Sequence, residues 1–267
     1  MYLDGAVPTL MLTAIGDAPP PPPGTVGAVH FDGSTYLDLA ALTATDSTVL
    51  SFSFWYKSAA DIGAGGSPLW VGDTAGLNPG ADGGAALQNF AEGTYLRQST
   101  SFANALVFGT TVTATNSQWH NVLVMADVNH AAGLRIFKLY IDDVDVTDTP
   151  ATDTGVAFTM VANGLQFTIG GDTFGDNVTM DFAECWWGLN QFIDFTVSSN
   201  RRKFISATKK PVGLGADGSL PTGTPPTFFL SLTPAAAPST FATDLSGNGN
   251  TFSITGALTT ASSSPSD

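Results

Sequence analysis

Catalysis by carboxylates needs a pair, and this sequence holds only two glutamates, Glu92 and Glu184, 92 positions apart. A glycosidase sets its acid and its nucleophile or base about 5–10 Å apart, and no local spacing here offers that. The three histidines, His30, His120 and His130, show neither H-x-x-x-H nor cysteine spacing, so a zinc site lacks support. No G-x-S-x-G marks a nucleophile. Calcium asks instead for several oxygens on loops. Two stretches could supply them. One is Asp142, Asp143, Asp145 and Asp148; the other is Gly171–Asn177, with Asp172, Asp176 and Asn177 as the favoured ligands. Asp, Asn and Gly also belong in turns for their own backbone hydrogen bonds, and the turn reading stands first for both. A sugar site would need an outward aromatic platform. Trp55 fits by alternation, opposite Phe52 and Phe54 and beside Ser51, Ser53 and Lys57, and Trp187 falls opposite Phe182 and Trp186. An outward Trp can also lie under a loop or a subunit, and that reading comes first for each.

The elements that would carry these residues are strands. Gly and Pro number 29 and 16 in 267 residues, a mixture that disfavours long helices and suits short strands joined by turns. The length is enough to bury a substantial core. A net charge of −14 repels nucleic-acid phosphates and anionic membranes. The lone Cys185 rules out an intrachain disulfide framework and reads as a small buried hydrophobe. The fold must then stand on its core alone, as in a protein assembled inside a cell. No run reaches the ~20 apolar residues of a membrane span, and Ala6–Ile15 makes a poor signal peptide.

Residues 1–23 read as an apolar arm on a spacer. Leu3, Val7, Leu10, Met11, Leu12 and Ile15 are too apolar for a solvated tail. Pro19–Pro23 predicts a stiff polyproline link of ~3.1 Å per residue. Such an arm suits docking on a neighbouring subunit or a larger assembly, with packing on its own domain as the other reading. From Gly24 to Asp267 the pattern is that of one β-domain. Leu50–Lys57 alternates, with Leu50, Phe52, Phe54 and Tyr56 on the core face. Gln118–Asp127 is apolar on both faces and, with Lys138–Val144, predicts a central antiparallel pair with a further layer against it. Met180–Trp187 reads as another core strand, and a Ser/Asn cap before Arg201 predicts one short helix near 198–206. Five of the nine basic residues lie between Arg201 and Lys210. They read as a solvated face with carboxylate partners, or as an assembly contact centred on Arg201 and Arg202.

Several of these stretches resemble laminin-G-like domains of the concanavalin A-like group. The carriers are Trp119-His120-Asn121-Val122-Leu123-Val124 followed by Leu139-Tyr140-Ile141-Asp142, Phe31-Asp32-Gly33-Ser34 with Tyr36-Leu37, and Leu165–Gly171. Asp143 stands where the family has Gly after L-Y-x-D, so a wider or differently shaped turn is expected there. Asp244-Leu245-Ser246-Gly247-Asn248-Gly249-Asn250 resembles a piece that usually opens these domains, yet here it follows everything else. That implies a rearranged strand order in which the C-terminal segment pairs beside Val29–Leu39. The E-x-D-x-x-E of hydrolytic relatives is missing, which implies no enzyme. Asn200-Arg201-Arg202-Lys203-Phe204 ahead of Ser246-Gly247-Asn248-Gly249 is similar to structural proteins of tailed bacteriophages.

The resulting expectation is an all-β, two-sheet antiparallel jelly-roll sandwich. Its leading function is that of a non-enzymatic virion protein, in surface decoration or in the tail. It would be made and assembled in the bacterial host cytoplasm and bind other virion proteins and copies of itself. The alternative is a glycan-binding module that recognises a host surface glycan, with calcium as the one conceivable cofactor.

Overall fold

The computed structural model describes residues 24–45, 47–58, 117–130, 134–147, 164, 166–171 and 177–267, together with the backbone of strands at 69–72, 85–90, 93–100, 103–110 and 152–153. The chain runs through β1 (Val29–Asp32), β2 (Tyr36–Leu39), β3 (Val49–Lys57), β4 (Leu69–Gly72), β5 (Ala85–Phe90) and β6 (Gly93–Thr100). It continues with β7 (Ala103–Thr110), β8 (His120–Asp127), β9 (Ile136–Ile141), β10 (Val144–Asp145), β11 (Thr152–Asp153) and β12 (Gln166–Ile169). Then come β13 (Thr179–Leu189), the single-turn helix α1 (Ser198–Arg201), β14 (Phe228–Leu230), a 3-10 turn at Pro238–Ala242, β15 (Ser253–Thr255) and β16 (Thr259–Thr260).

Two eight-stranded antiparallel sheets result. The first has the order β10-β9-β8-β3-β13-β1-β16, with β14 also pairing β13; the second runs β11-β7-β6-β5-β4-β12-β2-β15. This is the expected two-sheet antiparallel jelly-roll sandwich, and the rearranged order is present. Ile254 pairs with Leu37, while Thr259 and Thr260 pair with His30 and Val29. The C-terminal segment thus closes one edge of both sheets.

The main core lies between the sheets, as period-2 alternation requires. Leu50, Phe52, Phe54 and Tyr56 of β3 meet Leu37, Leu39, Phe167 and Ile169 of the second sheet. Phe167 packs edge-on against Trp187 and Phe228, with centroids 4.9 Å away in each case. Gly170 is required here. Its φ is +88°, and a Cβ would sit 2.4 Å from the Phe31 ring.

A second apolar cluster covers the outer face of the first sheet. Trp55, Leu123, Met125, Ala183 and Trp186 are buried there beneath Ile193, Phe195, Phe204, Ile205 and Leu214. This is the extra layer that the two-faced β8 demands. The predicted helix shrinks to α1 and a hydrogen-bonded turn in which Phe204 and Ile205 donate to the Arg201 carbonyl. Phe195 and Phe204 stack edge to face at 5.6 Å, so packing rather than helix length holds this segment.

A β-bulge corrects the sequence alternation in β13. Ala183 pairs with Trp55 and Trp186 with Ser53, which leaves one extra residue on β13 between them. Glu184 takes φ +40° at this point. The inward set therefore changes phase, from Met180 and Phe182 to Cys185, Trp187 and Leu189. Trp187 shares a face with Phe182, and Trp186 lies opposite both.

The turn at Asp142-Asp143 is also corrected, from wide to tight. Ile141 and Val144 pair directly, and the two aspartates have φ +52° and +70°, a two-residue hairpin loop. Asp tolerates that region better than most residues. Asp142 accepts from the Asn121 backbone N–H and lies 2.7 Å from His120 Nδ1. Arg201 and Arg202 both bond the Asp143 carboxylate.

Candidate functional site

The sequence candidates disperse in three dimensions. Leu3, Val7, Leu10, Met11, Leu12 and Ile15 lie outside the described residues, as do Asp172 and Asp176. Asn177 is half-buried, and its Oδ1 has no partner among the described residues. Trp55 is 1% exposed and Trp187 5%, so neither is a sugar platform. The alternation of β3 does turn Trp55 away from the Phe52/Phe54 face, but the 193–229 layer buries it. Trp187 belongs to the central core through the bulge and stacks on Phe52 at 4.6 Å.

Arg201 and Arg202 are engaged within the chain and leave no free basic pair for assembly. Burial works to raise the Asp143 carboxyl, and the hydrogen bonds and charges of Arg202 and Arg201 outweigh it, holding it below the ordinary carboxylate value. Asp145 follows the same logic, with Lys138 and Thr147 outweighing burial. These partners make Asp142, Asp143 and Asp145 a poor calcium cradle. Among the described residues no group of three or more His, Cys, Asp or Glu could hold a metal ion. No described helix is long and apolar enough to cross a membrane.

A charged row crosses the outer face of the first sheet. His30, Asp181 and Lys57 are lateral neighbours on β1, β13 and β3. Asp181 lies 2.7 Å from His30 Nδ1 and 3.0 Å from Lys57 Nζ. Lys57 and the Trp119 indole both donate to Ser263 Oγ, at 2.8 and 3.1 Å. These groups satisfy one another and pin the C-terminal segment across the sheet.

The surface with unused polar capacity lies at one end of the sandwich. Four segments distant in sequence meet there around a cleft of about 310 Å³: Thr43–Thr45, Leu189–Gln191, Pro225–Thr227 and Asn248. Its frame is hydrogen-bonded throughout. Asn190 N–H donates to the Val49 carbonyl, Leu189 N–H to Thr227 Oγ1, and Gln191 Nε2 to the Pro225 carbonyl. Asn250, just behind, reaches the Thr43 N–H through Oδ1 and the Thr43 and Thr227 carbonyls through Nδ2.

The D-x-S-G-N-G-N loop gives this frame its rigidity. The Asp244 carboxylate accepts from the Phe229, Ser246 and Asn250 N–H groups and from the Ser246 hydroxyl. A buried carboxylate with four donors ties β14 to the cleft wall. Asn248 Nδ2 then donates to the Pro226 carbonyl at 2.7 Å.

Among the described residues that line the cleft none carries a charged side chain, although the chain carries 23 acidic residues. Gln191 Oε1 has no partner among the described residues, and none is seen there for the Thr43 and Thr45 hydroxyls or Asn190 Nδ2. Phe192, the residue after Gln191, is 42% exposed. Sequence reasoning missed the cleft because its walls share no local spacing; the one signal was the Asn/Gly-rich loop, read there for fold.

No protein-family model matches the sequence, and comparison with curated proteins gives no match. Solved structures do resemble it. A candidate carbohydrate binding protein from Bacteroides ovatus superposes with a TM-score of 0.56 at 10% identity, covering 90% of this chain and 62% of that one. A heptameric pentraxin from Limulus polyphemus gives 0.47 at 11% identity, over 64% of this chain and 79% of that one. Laminin G domains 4–5 of the mouse laminin α1 chain give 0.45 at 15%, over 66% and 45%. The chain thus spans less than two thirds of the Bacteroides and mouse proteins. At these identities the likeness is one of fold.

Proposed function

We propose that this chain is a non-catalytic glycan-binding module whose site is the cleft between Thr43, Asn190, Pro225 and Asn248. The observation that carries the reading is the chemistry of the described lining: amides, hydroxyls and prolines without a charge among them, on a frame already hydrogen-bonded. Side-chain amides both donate and accept, which matches the hydroxyls of a neutral sugar. A preformed concavity with a few placed polar groups is the usual form of a small-ligand site. A volume near 310 Å³ suits one or two sugar rings. Neutral oxygens and amides are a weaker set for a hard dication, which favours carboxylates.

The Bacteroides ovatus protein, a candidate carbohydrate binder with the same fold, agrees with this reading. Fold alone does not decide function, so the weight rests on the cleft. The virion-assembly reading loses its described support, since Arg201 and Arg202 are bound to Asp143.

The test is a glycan array on the full chain, followed by calorimetric titration of any hit against Asn190→Gly, which keeps the positive φ of 61° at this position and removes the amide. Binding to a neutral glycan that disappears in Asn190→Gly, with the protein still cooperatively folded, is the expected result. Failure to bind any glycan, or binding indifferent to Asn190, overturns the proposal.

A further inference from the structure

We propose that Asn248-Gly249 is a deamidation site that turns the neutral cleft anionic as the protein ages. The reaction needs the Gly249 backbone nitrogen to reach the Asn248 side-chain carbon. Both residues are exposed on the loop. Gly249 has φ +80°, and a Cβ placed there would meet nothing within 4 Å, so no other part of the fold packs against its Cα. The neighbouring N–H groups are fixed, Asn248 to Ser246 Oγ and Asn250 to the Asp244 carboxylate. Gly249 N–H has no hydrogen-bond partner among the described residues. The loop therefore leaves free the one nitrogen that the chemistry uses, and asparagine is among the thermolabile residues.

The step balances without a cofactor. The Gly249 nitrogen attacks Cγ of Asn248, a N–Cγ bond forms, the Cγ–Nδ2 bond breaks, and ammonia leaves with the proton from the attacking amide. Water then opens the succinimide at either carbonyl, giving aspartate or isoaspartate. The net change is replacement of an amide NH2 by a carboxyl OH, which ionises.

The consequence follows from the contacts of Asn248. Its Nδ2 donates to the Pro226 carbonyl at 2.7 Å and to that of Thr227 at 3.4 Å. A carboxylate can only accept, so an oxygen would replace a donor against two carbonyl oxygens. The wall formed by Pro225–Thr227 loses one of its ties, and the cleft gains a negative charge in a chain that already carries −14. The modification itself does not depend on what the cleft binds.

The experiment is incubation of the folded chain in mildly alkaline buffer at physiological temperature, with peptide mapping by mass spectrometry. Asn163-Gly164, the other Asn-Gly pair in the sequence, serves as a clock within the same sample. The expected result is a gain of one mass unit at Asn248 in the native state, ammonia release, and an acidic charge variant. Asn248→Gln should lose the signal at that position, and Asn248→Asp should lower Tm. An Asn248 that stays intact while Asn163 converts overturns the proposal. So does conversion of Asn248 only after unfolding.

Discussion

Glu184 offers a direct titration of what the β13 bulge costs. The residue is 4% exposed, and among the described residues its carboxylate has no hydrogen-bond partner. Burial pushes its carboxyl from the usual 4.5 up to about 8. Between those values the folded chain holds a proton that the unfolded chain has released, so stability falls as pH rises. The slope for one proton is about 1.4 kcal/mol per pH unit, which accumulates to about 5 kcal/mol across the window. The contribution is fully present below the unfolded value of 4.5 and is lost as pH rises through about 8. Glu184→Gln keeps the shape and removes the titration. Urea unfolding, followed by the fluorescence of buried Trp55, Trp186 and Trp187, should give similar stability for both proteins near pH 5. By about pH 8 the variant should be more stable by several kcal/mol. Subtracting the two curves cancels every group they share, including the histidines. A difference that stays flat from about pH 5 to pH 8 would refute the reasoning.

Other substitutions test the remaining assignments. Trp55→Ala and Trp187→Ala should each lower unfolding free energy by about 3–5 kcal/mol, because both empty a packed core rather than strip a surface; chemical denaturation measures this. Asp143→Asn keeps the tolerance for positive φ but weakens the tie to Arg201 and Arg202, at about 1–3 kcal/mol in the same assay. Asp244→Ala orphans four donors and should lower Tm steeply, with faster hydrogen exchange at the Phe229 and Asn250 amides. Gly170→Ala should prevent folding or shift Phe31, visible as loss of soluble, monodisperse protein.

The strands were legible where alternation was unbroken. Leu50–Lys57 and Gln118–Asp127 gave their faces correctly, and the position of Asp244–Asn250 implied the edge pairing that β15 and β16 make. The alternation of β13 misled because one inserted residue reverses the faces beyond it. Nothing in the residue types around Glu184 marks that insertion. The outer layer was half legible: two apolar faces on β8 demanded a cover, but the cover is irregular chain held by Phe195, Phe204 and Leu214, with no period to read. The cleft left only one trace, the Asn/Gly-rich loop, since its walls come from four segments up to 205 positions apart, from Thr43 to Asn248.

The edge pairing also dictates an order of events during synthesis. Val26 N–H bonds Ser266 Oγ across 240 residues of sequence, and β1 finds β16 only when nearly all the intervening chain exists. At about 5–20 residues per second, a ribosome leaves that gap open for roughly ten to fifty seconds. β12 and β13 arrive partway through, but to the end of the window the nascent β1 and β2 lack β16 and β15 on their other edges, so the newborn chain presents unpaired backbone to its neighbours. High contact order of this kind slows folding. A chaperone that shields extended segments near the ribosome exit should therefore improve the soluble yield of this chain more than one that acts after release.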